Sequence, residues 1–323
     1  TSVYFKYAIG EIALVVIGIL IAVSLNTWNE DRKSQAKFNQ ILKKVHQELI
    51  FNLNSTESLA QGYEYKNQDL YKVLNKKVTL EDYKKSDLWV LILNYSSVNL
   101  SNEAANKLEG FSDQLNVKQD SLLSRIITLY NTYKDDMDAM DQKINTTVNV
   151  FNSQLRNNKS WYYFFGIEND LPEEAYNYFL TDSFYLNHVA RYDNIGLSNH
   201  LGYSYSFNLE AKVLYQDLTQ YLEMEIDTTI IKDIKELKHY VGLYKLIDKN
   251  SDESIIIKDD QERLTYSFTN ETITYPFYPS TRDEFMLNGR FGKLLRNESN
   301  EVTGFIRSLG GRKPKEYKKV NND

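Results

Sequence analysis

Cysteine is absent from this chain of 323 residues, and only four prolines and 13 glycines interrupt it. Without a thiol there is no disulfide, no thiolate metal site and no cysteine nucleophile. So few breakers predict long, uninterrupted elements. Basic residues are outnumbered, 38 against 44 acidic, for a net charge of −6. Nucleic-acid binders carry a basic face that replaces condensed counterions, so that partner class is excluded. The four histidines, His46, His188, His200 and His239, never stand three or four residues apart and so lack metal-ligand spacing. Asp135, Asp136, Asp138 and Asp141 follow one helical pattern with no acidic, glycine-centred loop, and read as a solvated face rather than a calcium site. Gly289-Arg290-Phe291-Gly292 and Gly310-Gly311-Arg312-Lys313 precede no helix, and read as hairpin turns rather than anion loops. No catalytic, metal or cofactor-binding residue is assigned, and neither enzymatic activity nor a cofactor is expected.

What the chain does have is an apolar run from Tyr7 to Leu25, YAIGEIALVVIGILIAVSL, followed at once by polar residues Asn26 to Lys33. At ~1.5 Å of rise per residue, such a helix crosses the ~30 Å hydrocarbon core once. The run exceeds the ~7–15 residues of a signal-peptide core and no small-x-small cleavage site follows it, so residues 1–29 are expected to be an uncleaved anchor. Glu11 lies one turn beyond Lys6 and Tyr7, close enough to the interface for its carboxylate to reach water or a basic neighbour. Gly18 and Ala22 form a small-x-x-x-small pair on the face that also carries Glu11, Leu14 and Leu25, which permits close approach of a second helix. Glu11, Leu14, Gly18 and Ala22 are therefore the candidate membrane-helix contact, with a partner protein or a second copy of the chain. The visible charges are Lys6 before the span and Arg32, Lys33, Lys37, Lys43 and Lys44 after it. Taken alone, they put the body in the cytoplasm.

Beyond the span, Phe38, Ile41, Leu42, Val45, Leu49 and Leu53 continue at helical spacing, so the anchor is expected to run on into an amphipathic helix. Further helices are expected from Thr79 through Leu93, from Ser101 to Gly110, from Asp120 to Phe151, from Pro172 after Asp170, from Asp182 to Ile195, and from Asn199 to Glu225. Together, residues 30–236 read as an antiparallel helical bundle. The aromatic cluster Trp161-Tyr162-Tyr163-Phe164-Phe165 is a turn expected to plug one end of it, core packing being favoured over ligand stacking. Trp161, Tyr162 and Tyr163 are also the candidate partner surface. From Tyr240 the period changes from about 3.6 to 2. Tyr240 to Leu246, Ser254 to Ile257, Leu264 to Phe268 and Phe285 to Leu287 read as short strands of an antiparallel meander or small barrel over residues 237–323. The fold class is α+β.

Two stretches carry resemblances. Lys6-Tyr7-Ala8-Ile9-Gly10-Glu11-Ile12, the apolar run and the box Asn26-Thr27-Trp28-Asn29-Glu30 closely resemble an uncharacterised single-span, membrane-anchored family of Bacteroidota. Ala104 to Tyr133 resembles that family's later helical region. In the family a basic segment precedes the span, which implies a cytoplasmic N terminus and a periplasmic body in the inner membrane. That implication is preferred over the visible charge count. The opening Tyr240-Val241-Gly242-Leu243-Tyr244, Pro279-Ser280 ahead of Phe285, and Glu301-Val302-Thr303-Gly304-Phe305, read as a turn, resemble the lipocalin-like accessory domain of periplasmic β-lactamase-like serine hydrolases. The serine-x-x-lysine signature of the hydrolase itself is not found upstream in a fitting context: Ser251 to Ser254 has no lysine at the required step, and a helical bundle is the wrong class of fold for it. The resemblances imply location and layout without an activity. The expectation is a scaffold or accessory subunit of a cell-envelope complex, acting by binding. A ligand-binding sensor is the alternative, and an enzyme without a recognisable motif comes third.

Overall fold

The computed structural model describes residues 2–166, 171–232, 234–248, 251–260, 263–279 and 284–320. One helix, α1 (Ser2–Leu74), runs from the apolar segment into the soluble body without a break. No proline occurs in it to remove a backbone donor. Its apolar N-terminal window is entirely unburied, unlike the core helix of a soluble domain, and among the described residues it is the one helix long and apolar enough to cross a membrane. Past the span, Asn26 Nδ2 donates to Glu30 Oε1 one turn on (3.0 Å), and the Arg32 guanidinium lies 5.4 Å over the Trp28 ring. From Phe38 onward one stripe of α1 is buried, including Leu42, Val45, Leu49, Leu53, Leu59, Tyr63 and Leu70.

Two further long helical paths pack on that stripe. The first is α3 (Val117–Thr128), a π-helical segment (Leu129–Lys134) and α4 (Asp135–Asn158). The second is α6 (Ser183–Tyr192), another π segment (Asp193–His200) and α7 (Leu201–Tyr221). Cross-helix bonds give their directions. His46 meets Thr219, Thr56 meets Asn208 and Tyr63 meets His200, so α7 runs antiparallel to α1. Gln35 meets Gln119 and Asn52 meets Tyr130, so the α3–α4 path runs parallel to α1. Short pieces complete the body: α2 (Leu80–Lys85), held by a capping box between Thr79 and Asp82, and α5 (Glu173–Thr181).

Several expected boundaries move. The helix expected through Leu93 stops at Lys85, where Ser86 is extended, and a 3-10 segment (Asp87–Val90) followed by a turn through Leu93 takes its place. The Ser101–Gly110 helix is a 3-10 segment over Ala105–Gln114. The helix expected from Asp120 starts at Val117, because Asn116 and Gln119 cap each other reciprocally. The two helices expected between Asp182 and Glu225 are one path, since the π segment carries the backbone across Gly196 without ending it. Asp170 and Ser280 lie outside the described residues, as do the side chains of Lys6 and Tyr7.

The C-terminal region is an antiparallel sheet of eight strands, curled into a nearly closed barrel: β1 (Gly242–Leu246), β2 (Ser254–Asp259), β3 (Leu264–Phe268), β4 (Tyr275–Phe277), β5 (Glu284–Leu287), β6 (Arg290–Arg296), β7 (Val302–Ser308) and β8 (Lys315–Val320). The order β4-β3-β2-β1-β8-β7-β6-β5 sets the first and last strands side by side. Tyr240, Tyr244, Tyr266, Phe277, Phe285, Phe305 and Tyr317 fill the interior, ring against ring. The Glu301–Phe305 stretch, read as a turn, is largely strand β7. Gly304 serves close approach there, since a Cβ would come 2.1 Å from the Tyr317 carbonyl oxygen.

The barrel docks on the bundle. Leu309, Tyr278, Met286 and Phe291 pack into the helical core. Asn67 clamps the strand end after β7, its Nδ2 donating to Ser308 Oγ (2.9 Å) and its Oδ1 accepting from Gly310 N (2.5 Å). Tyr278 donates to Gln216 Oε1 and Asn75 Nδ2 to the Gly311 carbonyl.

A candidate ligand cleft between bundle and barrel

Where the barrel meets the bundle, a cleft of about 510 Å³ opens. Both π segments reach it, through Tyr133 and Ser198, and α7 adds Gly202, Tyr205, Ser206 and Glu210. π-helical turns are uncommon and often mark functional positions, because they re-aim side chains that a regular helix would hold elsewhere. The opposite wall is Tyr266, Tyr275, Asn288, Gly289, Arg290, Arg307 and Arg312. Asn288 and Gly289, both at positive φ, make the two-residue turn between β5 and β6, with Leu287 paired to Arg290. A Cβ on Gly289 would stand 3.4 Å from the Gly202 Cα, so this turn sits directly against α7.

The three arginines are held differently. Arg307 is 6% exposed; its Nη1 lies 3.6 Å from Glu253 Oε1 and 3.4 Å from the Tyr317 hydroxyl, and its guanidinium stacks over Phe268. Its Nε has no hydrogen-bond partner among the described residues. Arg312 is exposed and donates to Ser198 Oγ (3.3 Å). Arg290 is half-buried, and its pKa is lowered first by burial and then by the neighbouring charges of Arg307 and Arg312. Glu210 is the carboxylate on this wall set. On the tyrosine side, the Tyr266 hydroxyl accepts from Asn288 N (3.0 Å) and stands 3.5 Å from that of Tyr205. Burial raises the pKa of both phenols, so they stay neutral donors and acceptors. A second cleft of about 610 Å³ shares Asn288, Arg290 and Arg307, but its walls also bring Asp252, Glu253 and Glu271.

Gly310-Gly311-Arg312-Lys313 is a turn, as expected from sequence, whereas of Gly289-Arg290-Phe291-Gly292 only Gly289 is in the turn and the rest opens β6; the fold nevertheless brings Arg290 and Arg312 to one cavity. Sequence alone gave no signal for this, because the two turns lie on separate hairpins and Arg307 sits between them on a strand. The other candidate residues fall elsewhere. Glu11, Leu14, Gly18 and Ala22 all lie on the bare apolar stretch of α1, where no neighbouring atom comes within 4 Å of a Cβ built on Gly18. Trp161 is 3% exposed, packed among Phe165, Tyr178 and Phe179, and so belongs to the core rather than to a surface. Tyr162 is half-buried and Tyr163 is exposed. Among the described residues no three His, Asp or Glu side chains converge as a metal site requires.

One hydroxyl, histidine and carboxylate grouping exists. The Tyr63 hydroxyl and His200 Nδ1 share a hydrogen bond (2.8 Å), and His200 Nε2 faces Asp141 Oδ1 at 3.5 Å. His200 is fully buried, so the grouping has no room for a substrate and acts as an interior brace. Burial depresses the His200 pKa to about 4, with the Asp141 charge opposing more weakly. A histidine that stays neutral when folded and charges near 6.5 when unfolded stabilises the fold above pH 6.5, and that contribution disappears as pH falls towards 4. Unfolding titrations of the full chain should show a loss of about 2–3 kcal/mol between pH 7 and 4. His200→Gln should flatten that slope, and an equal slope in both proteins would assign it to other groups.

No family model matches the chain, and no significantly similar protein or solved structure is found for it.

Proposed function

We propose that the protein is a single-pass envelope protein of the inner membrane that acts by binding, as a scaffold or accessory subunit, with its body in the periplasm. The observation that carries this reading is the continuity of α1: the apolar stretch and the central helix of the body are one element, so the anchor fixes the body close to the bilayer. The resemblance of the span and its Asn26–Glu30 box supports the periplasmic side. The bare face with Glu11, Leu14, Gly18 and Ala22 suits contact with a membrane helix, since packing in lipid depends on close approach and polar contacts.

One experiment tests both parts. A membrane-impermeant, amine-reactive crosslinker is added to intact spheroplasts, and the tagged chain is purified in mild detergent. Labelling of the body and a crosslinked partner or second copy are expected, with a lower crosslinked yield for Gly18→Leu. Lysines that react only after lysis would place the body in the cytoplasm. Recovery of labelled monomer alone would remove the scaffold reading.

A further inference from the structure

We propose that the cleft between bundle and barrel is a binding site for a small oxyanion, a carboxylate- or phosphate-bearing molecule, gripped by Arg290, Arg307 and Arg312. This goes beyond the scaffold reading and does not depend on it.

The argument begins with an imbalance. The chain as a whole is acidic, with a net charge of −6, yet three guanidinium groups meet in one cavity where, among the described residues, Glu210 is the carboxylate on the wall, with Glu253 beside Arg307 and Asp193 near enough to act on Arg312. Like charges that repel one another in a partly dry cleft are costly unless something of opposite sign joins them. Glu253 does not serve all three. It is taken by Lys315 (2.6 Å), by Tyr317 and by one edge of Arg307. Among the described residues no ion pair or hydrogen bond holds the Arg290 side chain, and its pKa is lowered first by burial and then by Arg307 and Arg312, against a weaker pull from Tyr317 and Glu253.

Arg307 supplies the second observation. It is more than nine-tenths buried and clamped by Glu253, Tyr317 and the Phe268 ring, while its Nε–H is left without an acceptor. Buried donors of this kind are rarely left unmet, and an oxygen of a bound anion would satisfy it. Guanidinium groups match the planar, multi-oxygen geometry of carboxylates and phosphates better than ammonium groups do, because two parallel N–H bonds can form at once. The cavity, at about 510 Å³, is of a size that holds a small molecule. The hydroxyls of Tyr205, Tyr266 and Ser206 also line the cavity, engaged with one another, with Asn288 N and with the Gly202 carbonyl, and so present a polar, fixed wall.

Isothermal titration of the full chain in uncharged detergent, with pyrophosphate and citrate as separate probes, tests the proposal. Binding of at least one is expected, weakening as sodium chloride is raised. Pyrophosphate alone would point to a phosphate source, and citrate alone to a carboxylate source. Arg290→Ala should weaken binding at least tenfold, and Arg290→Lys should weaken it less, because charge is kept while the paired bonds are lost. Arg290→Ala should also melt at or above the wild-type temperature without ligand, since it relieves repulsion. Arg312→Ala, at an exposed site, provides the same test should Arg290→Ala fold poorly, and Lys258→Ala, exposed and away from the cleft, should bind as wild type. The proposal is overturned if neither probe binds, or if the arginine variants bind as tightly as the unaltered chain.

Discussion

Glu57→Ala is expected to lower the unfolding free energy by about 3 kcal/mol, and Lys212→Met by much less. The pair joins α1 to α7, with Lys212 Nζ 2.7 Å from Glu57 Oε1. Its two members sit in different surroundings. Lys212 is 2% exposed and lies 5.9 Å over the Tyr278 ring, whereas the Glu57 side chain keeps 30% of its surface in contact with water. Removing the carboxylate strands an ammonium in the interior. Removing the lysine leaves a carboxylate that can hydrate, and methionine keeps the packing volume of the stem. Urea unfolding of both variants in the same detergent measures the difference. Equal costs, or a larger cost for Lys212→Met, would mean that the buried ammonium is not what makes this contact sensitive.

Asn52→Leu should lower the melting temperature by about 6–10 °C, equivalent to roughly 3 kcal/mol. Asn52 is fully buried on α1 and brackets one residue of the long connection to α3. Its Nδ2 donates to the Ser101 carbonyl and its Oδ1 accepts from the Ser101 amide, both at 2.8 Å. Leucine fills the same space without either function, so two backbone groups lose their partners away from water. Glu48 works beside it, accepting from Ser101 Oγ (3.0 Å) and Ala104 N (2.8 Å). If the substituted chain melts within about 2 °C of the original, the bracket is redundant and Glu48 alone holds the connection.

Much of the architecture could be read from residue spacing, for a simple reason. In α1, α4 and α7 the apolar residues recur at the period of the helix because one face of each is buried in the bundle core, and Phe38, Leu42, Val45 and Leu49 all point inward as their spacing requires. The strands Gly242–Leu246 and Leu264–Phe268 alternate in the same legible way. Half of the barrel was not legible. β8, Lys-Glu-Tyr-Lys-Lys-Val, buries only Tyr317 and otherwise shows charge to solvent, so its pattern resembles a surface loop. β7 carries a glycine that looks like a turn until the neighbouring backbone of β8 is seen against it. The cleft was invisible for a different cause. Its arginines belong to a turn end, a strand and a loop, and only the closing of the sheet and its docking through Asn67 bring them to one place.

On the proposed single-span reading, the unbroken helix α1 makes the bilayer a mechanical part of the molecule. At ~1.5 Å per residue it is a rod of roughly 110 Å, of which about 70 Å extends beyond Trp28. A tilt of about 20°, ordinary for a membrane span, would swing its far end sideways by roughly 24 Å. With no proline to act as a joint, any lean or spin of the anchor is delivered in full to the bundle. On that reading, membrane thickness and the neighbours of the span would aim the body, and two molecules that pair within the lipid would also set the bearing of their bodies above it.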